Sequence, residues 1–166
     1  MNTKVISKEE LKQLYDKDYP AWVDMNLQLL KEKAYELVDW DNLLEEIEDM
    51  GRSDLKACIS YLAVILEHLY KLDNFRMYTQ AGFEKGGRGW VKSIITARGR
   101  LEVLIKHYPS LKPKIKEELE TAWEMAIPEI VASAYEMGVK ISKDDIPKHS
   151  PYTYEEAMER DVMEEF

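Results

Sequence analysis

Cysteine is almost missing from this chain. Cys58 stands alone among 166 residues, which excludes an intrachain disulfide and a cysteine-built metal site and fits a reducing compartment. Its neighbours Leu55, Ile59 and Leu62 mark it as a small buried hydrophobe. Long apolar runs are missing too. The longest, 59–66, is interrupted by Ser60 and stops at Glu67, well short of the roughly 18–20 residues that cross a bilayer. The opening stretch MNTKVISKEE holds no apolar signal core. A cytoplasmic protein with no membrane partner is the expectation. Histidine is scarce, and none of the three completes the Glu-x-x-His pattern of a di-iron bundle. His68, His107 and His149 follow Ile65, Leu104 and Ile146 at that spacing. No metal and no cofactor is expected.

What is present is helical patterning almost throughout. Ser7 with Glu10 and Thr153 with Glu156 have the form of capping boxes. Asp18-Tyr19-Pro20 restarts the chain with proline in a first turn, and Asp39 or Asp41 can cap the helix that follows. Leu55, Ile59, Leu62, Leu66 and Leu69 step by four, three, four and three. With Cys58, Val64 and Ile65 filling other sides, this is the central helix. Trp90, Ile94, Ala97, Leu101 and Leu104 describe another. A third runs from about 111 to 137, with Pro128 as a kink and Gly138 as a left-handed end. Between them, 73–89 lacks periodicity and holds Gly82, Gly86, Gly87 and Gly89, so a long loop is expected there. The extended tail ends in a short helix. No strand pattern appears. The expected fold is a single all-α domain over 1–166, an antiparallel helical bundle.

The charges are unevenly placed. The chain carries a formal −9, yet 85–116 has nine basic residues against Glu102 alone, a local +8. An acidic whole argues against general nucleic-acid binding. The basic stripe leaves nucleic acid as a lesser possibility beside a protein partner or a second copy of the chain.

The acidic counterpart is LLEEIEDMG, 43–51. At 100° per residue, Leu43, Leu44, Ile47 and Met50 share one side, expected to be core. Glu45 and Asp49 fall opposite it, while Glu46 and Glu48 fall on its two flanks. Arg98 lies in line with Val91, Ile94 and Leu101, so its stem should be covered and its guanidinium should seek a carboxylate, with Glu46 or Glu48 the natural partner. That arrangement is either a structural bridge or an anion pocket. Glu67 and Lys71 form an i, i+4 pair expected at the surface. His68 sits among apolar residues as a hydrogen-bonded core histidine or, less simply, a base. Trp90, Tyr108 and Phe83 are aromatic candidates for stacking near the basic stripe. Arg100 and His107 have the R-x6-H spacing of the HEPN ribonucleases, but Leu101 follows where those enzymes favour a polar residue.

In their order, LYDKDYPAW (14–22), VDWDNLLEEIEDMGRSD (38–54), LEHLYK (66–71), Trp90-x3-Ile94-x3-Arg98, YPSLKPKI (108–115) and PKHSPYTYEEAM (147–158) resemble the domain of unknown function 29 family of small bacterial proteins. The resemblance places that family's motif on Trp22, Asn42, Glu45, Glu46, Glu48, Gly51, His68, Lys71, Trp90 and Arg98. It departs from the family at Leu72-Asp73-Asn74. It implies a small, all-helical, stand-alone protein and brings no activity with it. Two functions follow as expectations. One is a non-enzymatic interaction or accessory module. The other is a hydrolase or ribonuclease-like enzyme for a phosphate-bearing substrate, with Glu46, His68 and Arg98 in a shared pocket and Lys71, Trp90 and Arg98 as anion contacts. Glu45, Glu46 and Glu48 would otherwise be structural carboxylates.

Overall fold

The computed structural model describes residues 6–79 and 85–164. Seven α-helices build it, and no strand occurs among the described residues: α1 (Lys8–Lys17), α2 (Tyr19–Lys31), α3 (Trp40–Phe75), α4 (Arg88–His107), α5 (Leu111–Glu117), α6 (Leu119–Glu136) and α7 (Tyr154–Glu159). The all-α expectation holds. The chain divides into two compact units, Met1–Arg52 and Ser53–Phe166. The first turns of α3 belong to one and its longer remainder to the other.

Local capping signals act where the sequence placed them. The Ser7 hydroxyl accepts from the Glu10 amide while the Glu10 carboxylate accepts from Ser7, and Thr153 with Glu156 repeats the exchange at α7. Asp18 accepts from the Ala21 amide at the start of α2, with Pro20 in its first turn. Each cap satisfies amide groups that have no partner inside the helix.

In the first unit, Leu11, Trp22 and Val38 are buried. Trp22 meets Tyr15 edge-on at 4.9 Å between ring centroids and stacks on Tyr19 at 5.6 Å. The expected core face of 43–50 is not core. Leu44, Ile47 and Met50 are 54%, 53% and 73% exposed. The physical reason lies across the helix: Tyr15 and Tyr19 both donate to the Glu46 carboxylate, which brings that flank of α3 against α1 and α2 and turns the Leu44–Ile47 side outward.

The second unit holds the larger core. Cys58, Leu62, Ile65, Leu66 and Leu69 of α3 are fully buried, joined by Trp90, Ile94 and Leu101 of α4 and by Trp123 and Ile130 of α6. Each such aliphatic side chain contributes about 1.5–3 kcal/mol through burial. No break occurs at Gly51 or Ser53, since α3 is continuous over 36 residues. The loop expected over 73–89 is shorter, because α3 continues to Phe75, a 3-10 turn occupies Arg76–Tyr78, and another at Lys85–Gly87 leads into α4. Gly82 and Phe83 lie outside the described residues. The helix expected over 111–137 is two helices that part at Glu118 (φ −94°, ψ 14°). Pro128 sits inside α6, and Gly138 has the φ of 75° expected of a left-handed end.

Gly87 is the glycine the packing requires. Its φ is +80°, and a Cβ there would lie 2.6 Å from Leu72 Cδ2 and 3.2 Å from Trp90 Cε3. Gly87→Ala is expected to lower stability by about 1–3 kcal/mol in urea unfolding, from left-handed strain together with the clash. An unchanged midpoint would show that the approach of α4 to α3 is looser than described.

Candidate functional site

The polar groups of the second unit converge around Lys71. It lies one turn after Glu67 on α3, and its Nζ donates to Glu67 Oε1 at 3.0 Å and to Ser133 Oγ on α6 at 3.2 Å. The same Nζ lies 5.2 Å from the centre of the Trp90 ring on α4, within cation–π range. Glu67 and Lys71 are only 9% and 5% exposed, so the pair expected at the surface is interior. An isolated charge here would be costly, and the pair with its extra hydroxyl and ring makes burial tolerable. Lys71 thus ties α3 to α6 through the Ser133 hydroxyl while remaining bonded to Glu67.

His68 Nδ1 stands 2.7 Å from the Val64 carbonyl. A carbonyl oxygen only accepts, so Nδ1 carries the proton. Glu67 Oε2 lies 3.8 Å from the same nitrogen. This is the hydrogen-bonded histidine the sequence suggested.

Arg98 does not pair with Glu46 or Glu48. Its Nε donates to the Ala157 carbonyl and its Nη1 to the Arg160 carbonyl, both at 2.8 Å. Nη2 is buried without a protein acceptor. The guanidinium closes the C-terminal end of α7, where carbonyls lack intrahelical donors and cations are favoured. Burial, opposed by Glu102 and reinforced by Arg160, holds its pKa below the ordinary arginine value. The expected carboxylate partners are engaged elsewhere. Glu46 accepts from Tyr15 at 2.5 Å and Tyr19 at 2.7 Å, and these bonds hold its carboxyl below the usual glutamate range. Glu48 accepts from Arg52 at 2.9 Å, and Glu45 is exposed. In place of a carboxylate the fork meets two tail carbonyls, which are invisible to a side-chain pattern.

Two networks were not legible as sites. In the first unit, Asp39 is fully buried, and its Oδ2 accepts from Trp22 Nε1 at 2.9 Å and Asn42 Nδ2 at 2.7 Å. Asn26 Oδ1 accepts from the Asp39 amide at 3.0 Å, and its Nδ2 donates to the Trp22 carbonyl at 2.8 Å. The available sign was Asp39 ahead of a helix with Asn42 three residues on, which reads as a cap. In the second unit, Arg160 forks onto Asp73 at 2.7 and 2.9 Å, and the Tyr152 hydroxyl adds a bond at 2.6 Å. Asp73, near the end of α3, thereby fixes the tail. Burial would push its carboxyl up, but the Arg160 and Tyr152 bonds more than offset that and hold it below the usual aspartate range.

The remaining candidates are surface groups. His107 Nδ1 faces the Val103 carbonyl at 3.0 Å on an exposed helix end, and Tyr108 is half exposed. Arg100 lines a shallow groove with Tyr61, Lys92 and Ser93. An apolar groove of about 360 Å³ lies along α4, lined by Arg88, Val91, Lys92, Ile95, Thr96 and Met163. Among the described residues, no group of three or more His, Cys, Asp or Glu side chains is placed to hold a metal ion. None of the described helices is long and apolar enough to cross a membrane.

These features define an all-helical protein whose interior polar side chains join helices to one another and whose outer faces carry exposed apolar residues. The chain belongs to the family described as Domain of unknown function DUF29, whose model matches residues 14–163. No curated protein and no solved structure matches it.

Lys71→Met should cost about 3–5 kcal/mol in urea unfolding, because it strands the Glu67 carboxylate. Adding Glu67→Gln to that variant should recover a large part of the loss. A loss below about 1 kcal/mol for Lys71→Met would be the value of an exposed pair and would contradict the buried arrangement. The Asp73 network predicts a pH dependence. A lowered folded pKa means that its stabilisation is full above the ordinary aspartate value of about 3.9 and is lost as pH falls through the folded value. The stability difference between the wild type and Asp73→Asn should therefore be largest near neutrality and shrink in acid; a difference that grows in acid contradicts the assignment.

Proposed function

We propose that this protein is a non-catalytic interaction module, and that the exposed apolar side of the first turns of α3 is its working surface. The observation that carries this reading is the exposure of Leu44, Ile47 and Met50 on one helix side. Water contact with so much hydrocarbon at helical spacing is relieved when a partner covers it. The helical period supports the same conclusion, since the spacing is that of a packing face and not of scattered surface residues.

The enzymatic alternative needs Glu46, His68 and Arg98 to act on one substrate. Each engages a different set of partners: two tyrosine hydroxyls, the carbonyl one turn back on α3, and two tail carbonyls. Lys71 and Trp90, the other proposed anion contacts, face each other and Glu67. These bonds favour positioning of helices over chemistry on a bound molecule. A protein partner is favoured over nucleic acid because Ile95 and Val103 are exposed among the cations of α4, and the whole chain is acidic.

Placing a photocrosslinking amino acid at Ile47 of the full chain tests the reading in cells that express it. Adducts are expected from Ile47 and from Met50, and none above background from an exposed control at Lys33. No adduct at either seam position would overturn the interaction surface.

A further inference from the structure

The α3 side just described has a counterpart on the same chain. Along α3, Leu44, Ile47 and Gly51 fall within a narrow arc, with Trp40 on the same line. Along α4, Arg88, Lys92, Ile95, Gly99, Val103 and Lys106 also fall within one arc, and all six are exposed. Ile95 and Val103 are 46% and 55% exposed. Each arc therefore has apolar residues and a glycine.

Those glycines have no explanation inside one chain. Gly51 and Gly99 sit in helix interiors, and a Cβ built on either would meet nothing within 4 Å. Neither has a positive φ. A glycine in such a place weakens its helix relative to alanine. What it provides is a flat spot where another helix can come close, as small residues do at tight helix crossings. One glycine of this kind is unremarkable, but here one lies between Ile95 and Val103 on the α4 arc and another follows Ile47 at the end of the α3 arc.

Charge completes the match. The segment 40–51 carries five carboxylates and no lysine or arginine. The span of α4 carries five lysines and arginines against Glu102 alone. Arg98 among them is turned to the tail, while Arg88, Arg100 and Lys106 are exposed.

We propose that α3 of one copy packs across α4 of a second copy, with Gly51 and Gly99 at the crossing and with Glu45 facing Arg88. The assignment rests on the reading that the α3 side is a binding surface, and it names the occupant. A second copy fits because it supplies an apolar arc, a central glycine and opposite charge together. A twofold axis that repeats the contact reciprocally closes it into a dimer.

Sedimentation velocity on the full chain across a concentration series tests this. The wild type is expected to show a reversible dimer that weakens as salt rises. Gly99→Leu should raise the dimer dissociation constant by at least about tenfold, a change of about 1.4 kcal/mol. Its melting temperature at low concentration should stay level or rise, because leucine is the better helix former and open space surrounds the site. That pairing of effects separates a lost interface from a lost fold. Glu45→Lys and Arg88→Glu should each weaken the dimer, and their combination should restore it in part. A wild type that stays monomeric throughout the series overturns the proposal, as does a dimer indifferent to Gly99→Leu. If the chain is monomeric while the Ile47 crosslinker captures a different protein, the surface reading stands and its assignment to a second copy falls. If neither occurs, both fall.

Discussion

An ammonium group inside a small helical protein has to be answered from several directions, and Lys71 sets the geometry of the second unit for that reason. Its charge is met on its own helix by Glu67, from α6 by Ser133 and from α4 by the face of Trp90. Three helices must arrive at fixed distances for those contacts to form. The hydrocarbon core around them, from Leu62 to Ile130, provides most of the driving force, but hydrophobic burial is non-directional. The buried pair is what makes one packing of these helices better than its near neighbours. Arg98 acts in the same way at the tail, closing α7 with its fork, while Asp73 holds Arg160 and Tyr152.

The first unit follows the same logic with a different result. Trp22, Asn26, Asp39 and Asn42 bind α2 to the beginning of α3. Tyr15 and Tyr19 then hold Glu46. Polar bonding fixes which side of α3 is covered, and the apolar side is left outside. Interior polarity and exterior hydrocarbon are two consequences of one arrangement. Of the residues that looked most like catalytic groups, Glu46 is bonded to Tyr15 and Tyr19, Arg98 to the tail and His68 to a carbonyl of its own helix. Leu44, Ile47 and Met50, which looked most like core, lie exposed.

Much of this was readable in advance, and the failures have physical causes. Ser7, Asp18 and Thr153 announced helix starts because capping is a local exchange between near neighbours. The stepping from Leu55 to Leu69 announced the core helix because burial there is nearly all round. Leu44 and Ile47 misled because periodicity groups residues on a side without saying what covers it. Glu67 and Lys71 misled in the opposite sense: an i, i+4 pair has the same spacing in water and in a core. Arg98 was right in being half-covered and wrong in its partner, since backbone carbonyls carry no sequence signal. Of the candidate site, Lys71 and Trp90 were singled out by sequence and do lie together, while His68 is bonded to the Val64 carbonyl. The roles of Ser133 and Asp39 required the chain to be folded.

The central claim is that the outward side of α3, and not its interior polar cluster, is where this protein meets another molecule. Methyl NMR with a soluble paramagnetic probe tests it directly. At high dilution the methyls of Leu44, Ile47, Ile95 and Val103 should relax strongly, while those of Leu62 and Ile94 should not. As protein concentration rises, the four exposed methyls should become protected together, with Leu62 and Ile94 unchanged. Protection of Leu44 and Ile47 already at high dilution would contradict the account, whereas exposure that persists at every concentration would contradict only the assignment of that surface to a second copy.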